Sequence, residues 1–415
     1  MRLIKNKKDA KHRILVVSYA FPPIAVQMTA ITMKGALAFK MAGYQVDAIH
    51  LDDLNNSLPK SDDFHSLVSE IFTKVISISN NSTTTIAVEL IRKYIGAQDV
   101  MEHLNGLMFR SMRRINFEDY DAIVSYAPFH SINMVVDKIK KINPNVRWIA
   151  QFSDPWADNP LEENMACRFK SSLIEPGVIK AADKLILNSP HLKHTLEIKY
   201  HMISGNKFTL IPHPFVSSWY PRRPKKTNKK LTLRFLGTLF GRRTPEPFFK
   251  GMQKLLLNTD GLENLIHIEI IGTIPNEMLE TTAAKFLLER CMKILPPVGY
   301  MKSLEYMYDA DLLLLIEAAT QNNLFVPSKL SDYIGTNNPI LGIASPGWTR
   351  DVINKYGGYT ANPLNPDEIT GELKLVIDDI LRKKRTWSGA NEVRDLFSEN
   401  TISNNYKLIL NELQA

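Results

Sequence analysis

A repeated alternation of β-branched runs with helical spacing constrains this chain more than any other feature. RILVVSY at 13–19 is an apolar run of the kind that forms a strand buried on both faces. A loop holding Pro22 and Pro23 follows, then residues 29–41 carry apolar side chains at helical spacing and stop before Gly43. Residues 44–50 (YQVDAIH) read as the next strand, so the opening is a strand-helix-strand unit, the building block of parallel sheets. Further strands are expected at 121–126, 148–152, 184–188 and 208–211. The stretch 55–117 reads as helical with a polar break at 80–85.

Residues 219–230 hold Pro221, Pro224 and many charges without apolar periodicity, which predicts a linker. A second alternating series then begins. Its strands are expected at 231–236, 266–271, 312–316 and 339–343, with helices at 246–257, 276–290 and 329–335 and a closing helix at 391–413. The expected fold class is therefore α/β, two Rossmann-like domains facing a cleft. The first spans 1–218 and the second 231–388, and the terminal segment 389–415 is expected to pack back on the first. Open α/β sheets take ligands at the carboxyl ends of their strands.

With 415 residues, 44% of them hydrophobic, each of two domains can bury a core. The two cysteines, Cys167 and Cys291, read as free thiols in a reducing compartment, and no Cys/His cluster has zinc spacing. The basic start at 1–8 is not followed by the apolar stretch of a signal peptide, and no apolar run approaches bilayer length, which predicts a cytoplasmic protein. The formal charge of +8 fits phosphorylated ligands, an anionic membrane face or nucleic acid. Basic clusters at 222–226 and 382–385 lack interleaved aromatics or zinc-finger spacing, so no nucleic-acid partner is expected. A solvated surface accounts for each cluster singly, and attraction to an anionic membrane is the second reading.

The segment 317–343 is richest in chemistry. Pro327-Ser328 ahead of a helix is a start signal, because the serine oxygen can satisfy an orphan amide. Open amides and the helix dipole favour an anion such as a diphosphate, Lys329 adds charge at that end, and Asp332 lies one turn on. An ordinary capped helix with a surface lysine fits these residues equally well.

This segment resembles the donor-binding helix of retaining glycosyltransferases of family four, a GT-B group. Members carry two glutamates there, the first near the donor sugar and the second on the nucleotide ribose. Asp332 stands at the second place and Leu324 at the first, so backbone or Asn322 or Asn323 takes over that role, or the sugar is held differently. SYAFPP at 18–23 resembles the family's opening strand and loop, with Ile24-Ala25-Val26-Gln27 where relatives have glycines. FLGTLFGRR at 235–243 resembles the strand, glycine and basic residue that reach the diphosphate. The resemblance thus implies a donor site of Gly237, Arg242 or Arg243, Ser328, Lys329 and Leu330, with Asp332 on ribose.

QFSDPW at 151–156 and SYAPFH at 125–130 match two further stretches. They imply that Asp154 orients or deprotonates the acceptor hydroxyl and that His130 lines the sugar site. An Asp-Pro turn with a packed tryptophan, and a structural histidine, are the plainer readings. Asp309-Ala310-Asp311 has the spacing of a metal-binding acidic pair but is expected to be structural. No metal and no cofactor beyond the nucleotide-sugar co-substrate is expected, the leaving diphosphate being stabilised by cations and helix amides. The implied activity is retaining transfer to a glycan or lipid-linked acceptor of capsule, O-antigen or exopolysaccharide, at the inner face of a membrane. A nucleotide-sugar 2-epimerase and a degenerate sugar-nucleotide-binding module are the rivals.

Overall fold

The computed structural model describes residues 12–52, 59–79, 98–99, 101–127, 129–202, 205–321, 323–382 and 387–414. The basic start at 1–8, the polar break at 80–85, Asn322 and positions 383–385 of the second basic cluster lie outside them. The chain divides into two compact units, Met1–His213 with Asn400–Ala415, and Pro214–Glu399.

In the first unit seven parallel strands form one sheet: β1 (Arg13–Val17), β2 (Gln45–Asp52), β3 (Lys74–Ser79), β4 (Ala122–Tyr126), β5 (Trp148–Phe152), β6 (Lys184–Leu187) and β7 (Phe208–Leu210). Their order is β3-β2-β1-β4-β5-β6-β7, so the chain starts mid-sheet, winds to one edge and returns to build the other. Ile14 pairs with Val46 on one side and Ala122 on the other. β1, β4, β5 and β6 are buried almost throughout, which is why they read as unbroken apolar runs. The helix Glu399–Gln414 seats Tyr406 on the ring of Phe39, centroids 4.1 Å apart, and Glu412 pairs with Lys184 at 2.6 Å.

In the second unit six parallel strands repeat the plan: β8 (Leu231–Thr238), β9 (Ile266–Thr273), β10 (Met292–Leu295), β11 (Leu312–Ile316), β12 (Ile340–Ile343) and β13 (Tyr359–Ala361), ordered β10-β9-β8-β11-β12-β13. Two apolar clusters cover this sheet, one around Phe235 and Leu314 and one around Leu313 and Tyr333.

Several elements differ from expectation. β3 lies in the stretch read as helical; its KVISIS alternates with a period of two, and its pairing with β2 decides the outcome. The helix expected at 276–290 breaks into Asn276–Leu279 and Thr282–Arg290, because the Thr281 hydroxyl caps the second piece through Ala284 N. The closing helix likewise divides into Asn391–Leu396 and Glu399–Gln414. Residues 219–230, expected as a linker, lie along the second unit and are held by polar contacts that leave no apolar period. Arg223 forks onto Asp309 at 2.9 and 2.7 Å, and Lys225 donates to Thr336 O at 3.0 Å.

Candidate functional site

In an all-parallel sheet the carboxyl ends of the strands share one edge. In the second unit β8 and β9 carry facing glycines one residue before that end, Gly237 opposite Gly272, and close with Thr238 opposite Thr273. A Cβ on Gly272 would stand 2.0 Å from Gly237 O, so the close approach of the two backbones there requires that Gly272 carry no side chain. Gly237 has φ +129°, and a Cβ there would meet Lys329 Nζ at 2.3 Å. The missing side chain is thus the space in which the lysine head lies.

Lys329 opens the helix Lys329–Thr336, which buries Leu330, Tyr333 and Ile334 completely and ends at Asn337 in the left-handed conformation, φ +55°. The Tyr333 hydroxyl accepts from Leu236 N (3.3 Å) and donates to Leu314 O (3.2 Å), pinning the helix across β8 and β11. The capping expected of Ser328 is not made: its dihedrals are helical, φ −60° and ψ −27°, and its side chain makes no capping bond. Leu330 donates its amide to Pro327 O at 2.9 Å and turns its side chain into the core. The Asp332 carboxylate is buried and accepts from Tyr300 Oη at 2.9 Å, while its carbonyl takes the Tyr220 hydroxyl.

The electrostatics centre on three groups. Lys329 Nζ donates to Leu236 O and lies 4.5 Å from the centroid of the Phe235 ring. Burial, then the neighbouring Arg243 charge, lower its pKa to about 7, against an upward pull from Glu317. Glu317 follows β11 directly and is 5% exposed. It accepts from Asn323 Nδ2 (2.6 Å) and Thr349 Oγ1 (3.1 Å), and burial raises it to about 7 against the favourable pull of Thr349, Arg243, Asn323 and Lys329. Of the two arginines, Arg243 is the one whose charge reaches both groups; Arg242 is exposed and donates to Ala319 O at 2.9 Å.

The structure therefore brings together Gly237, Lys329 and Arg243 and adds Glu317, which the sequence reading took only as the start of a segment. Its signal was a carboxylate closing an uninterrupted strand of leucine and isoleucine. A lysine head at a glycine of β8, a second cation and a helix start thus lie close to the carboxylate of Glu317. Asp309 and Asp311 are engaged elsewhere, Asp309 by Arg223 and Asp311 by Asn228 Nδ2 (2.9 Å) and Thr232 N (2.8 Å).

In the first unit Asp154 lies two residues past β5 and His130 just before the helix Ser131–Ile142. They meet through backbone: His130 Nε2 is 3.2 Å from Asp154 O. A carbonyl only accepts, so Nε2 carries the proton and Nδ1 faces the amide of Asn133 at 3.4 Å. The imidazole stacks on Trp156 with centroids 4.7 Å apart, and burial lowers its pKa to about 3. His213, between Gln151 and Asn188, is lowered to about 3 by burial and by Lys34.

These two neutral histidines set an acid limb. Each binds its proton in the unfolded chain near pH 6.5 and in the folded chain only near 3, so stability is full above 6.5 and is lost as pH falls through that window. Each should contribute a slope of about 1.4 kcal/mol per pH unit. Urea titrations of wild type and H130Q from pH 7 to about pH 5 should show the variant with the shallower slope, whatever its stability at neutral pH.

No protein-family model and no curated protein matches the sequence. Among solved structures, the chain is similar to Anabaena HepE in complex with UDP-glucose, at 11% identity and a TM-score of 0.66, covering 96% of this chain and 99% of that one. It is similar to the sucrose-phosphate synthase of Thermosynechococcus elongatus at 13% identity and 0.66, covering 97% and 99%. It is also similar to the lipopolysaccharide outer core galactosyltransferase WaaB at 14% identity and 0.58, covering 96% and 99%. At such identities the likeness establishes the fold: two parallel-sheet α/β domains of the GT-B type.

Proposed function

We propose that this chain is a glycosyltransferase that moves a sugar, with retention of configuration, from a nucleotide-sugar donor to a glycan or lipid-linked acceptor of a cell-envelope polysaccharide. The observation that carries this reading is the seat of Lys329 against Gly237 of β8 at the start of the helix Lys329–Thr336, with the charge of Arg243 near enough to lower the lysine's pKa. That arrangement neutralises the two charges a leaving nucleoside diphosphate develops. Glu317 keeps the cations compensated while the site is unfilled and holds the Asn323 and Thr349 backbone segments together through its two oxygens. UDP-glucose in HepE and the galactosyltransferase activity named for WaaB support the donor class and the envelope setting.

On the acceptor side Asp154 is the carboxylate that orients the incoming hydroxyl. His130 serves it as a neutral donor to its carbonyl, a positioning part rather than a proton carrier. We propose a cytoplasmic enzyme working at the inner membrane face. Among the described residues no helix is long and apolar enough to cross a membrane. A panel of UDP-, GDP- and ADP-sugars screened by thermal shift, followed by assay of nucleoside diphosphate release with lipid-linked acceptors, tests the reading. One donor class should raise the melting point and turn over. A donor that stabilises the protein yet yields no diphosphate with any acceptor would favour a binding module instead. Leu324 at the place of the family's first glutamate, buried and apolar, is the observation on that side.

A further inference from the structure

The helix Met165–Ala181 carries large apolar side chains on its solvent face. Met165, Phe169 and Leu173 are 73%, 67% and 66% exposed, and their spacing of four residues sets them in one stripe about 12 Å long. The opposite face is fixed inward. Cys167, Ser171, Glu175, Val178 and Ile179 are buried, and Asn164 caps the helix start through Ala166 N and Cys167 N. Glu175 accepts from Ala157 N (2.8 Å), Lys199 Nζ (3.0 Å) and Tyr200 Oη (2.7 Å), so the helix cannot roll to hide the stripe without breaking buried bonds.

Charge on this helix is one-sided. Its ionic residues are Arg168, Lys170, Glu175 and Lys180. The one carboxylate is the buried Glu175, and Lys170 is paired with Glu102, which leaves Arg168 and Lys180 exposed around the stripe. Three exposed apolar side chains beside two exposed cations suit an edge that rests on a membrane surface, apolar tips toward the acyl chains and cations at anionic headgroups. A second copy of this chain fits less well, since it would bring the same cations against one another.

We propose that Met165, Phe169 and Leu173 form the docking edge by which the protein sits on an anionic bilayer, with Arg168 and Lys180 on the lipid phosphates. This rests on the membrane-face placement proposed above and names the surface that achieves it. The test is co-sedimentation of the intact protein with vesicles, one set pure phosphatidylcholine and one an equal mixture with phosphatidylglycerol, using wild type and an F169S/L173S variant. Wild type should sediment with the mixed vesicles and hardly with the neutral ones. The variant should partition on the order of 100-fold less, about tenfold for each side chain removed. Both positions are exposed, so an unchanged melting curve for the variant confirms that folding is intact. A variant that binds as wild type does would overturn this surface while leaving membrane placement standing through another face. Wild type that ignores anionic vesicles would overturn both. Self-association of wild type in light scattering, lost in the variant, would assign the stripe to a second copy and also overturn the proposal.

Discussion

Replacing Lys329 by methionine should weaken nucleoside diphosphate binding roughly 100-fold, the worth of one charge-assisted hydrogen bond to a phosphate in a sheltered site. The helix itself should survive, because its packing comes from Leu330, Tyr333 and Ile334 and from the Tyr333 bridge between β8 and β11. Removing a part-buried ammonium also removes a desolvation penalty, so the unliganded variant should be no less stable than wild type.

Wild type should reveal the lysine through pH as well. Its pKa is lowered to about 7, and a bound diphosphate favours the charged form, so binding takes up a proton. Affinity should therefore hold below pH 7 and fall by up to about tenfold per pH unit above it. Glu317, raised to about 7, acts in the same direction, since its ionisation above that pH sets a negative charge beside the ligand. Calorimetric titrations with UDP across pH 6 to about pH 9 should show a steep limb in wild type and a shallower one in both K329M and E317Q. The ligand's own titration is common to all three proteins and cancels in the comparison.

Gly272→Ala should be the most damaging single methyl in the second unit. The residue has φ +141°, where a side chain is strained, and its Cβ would lie 2.0 Å from a backbone oxygen that cannot swing aside. Together these should lower stability by about 3–5 kcal/mol, or roughly 10 °C in melting temperature. The displaced strand carries Gly237 and hence the seat of Lys329, so diphosphate affinity should fall too. Gly43→Ala is the internal control: its φ is +96°, but nothing lies within 4 Å, so only backbone strain of about 1 kcal/mol is expected. Equal losses from the two substitutions would contradict the close-approach argument.

The central strands of both sheets were legible because strands buried on both faces must be apolar throughout. Trp148–Phe152 and Leu312–Ile316 fall where the sequence placed them. β10 and β13, edge strands of four and three residues, escaped notice because so short a run carries no period. At the site, residue type pointed to Lys329 and the arginine pair, but orientation was invisible. Nothing in the sequence separates Arg242, turned to a carbonyl, from Arg243, whose charge acts on the lysine, or shows Tyr300 holding the Asp332 carboxylate. Glu317 was passed over because its importance comes from burial, and burial of a carboxylate at a strand end depends on Thr349 and Asn323 arriving from elsewhere in the chain. Asp309 and Asp311, which stand before a buried strand, accept from the arginine at 223 and from the amide of Thr232, partners that their spacing alone does not name.

The most direct test is a crystal structure of the protein soaked with the sugar nucleotide that stabilises it best. The pyrophosphate should lie within hydrogen-bond reach of Lys329 Nζ and the Arg243 guanidinium, near Gly237 of β8. Density for it at any other edge of the second sheet, with Lys329 still bonded only to Leu236 O, would contradict the account.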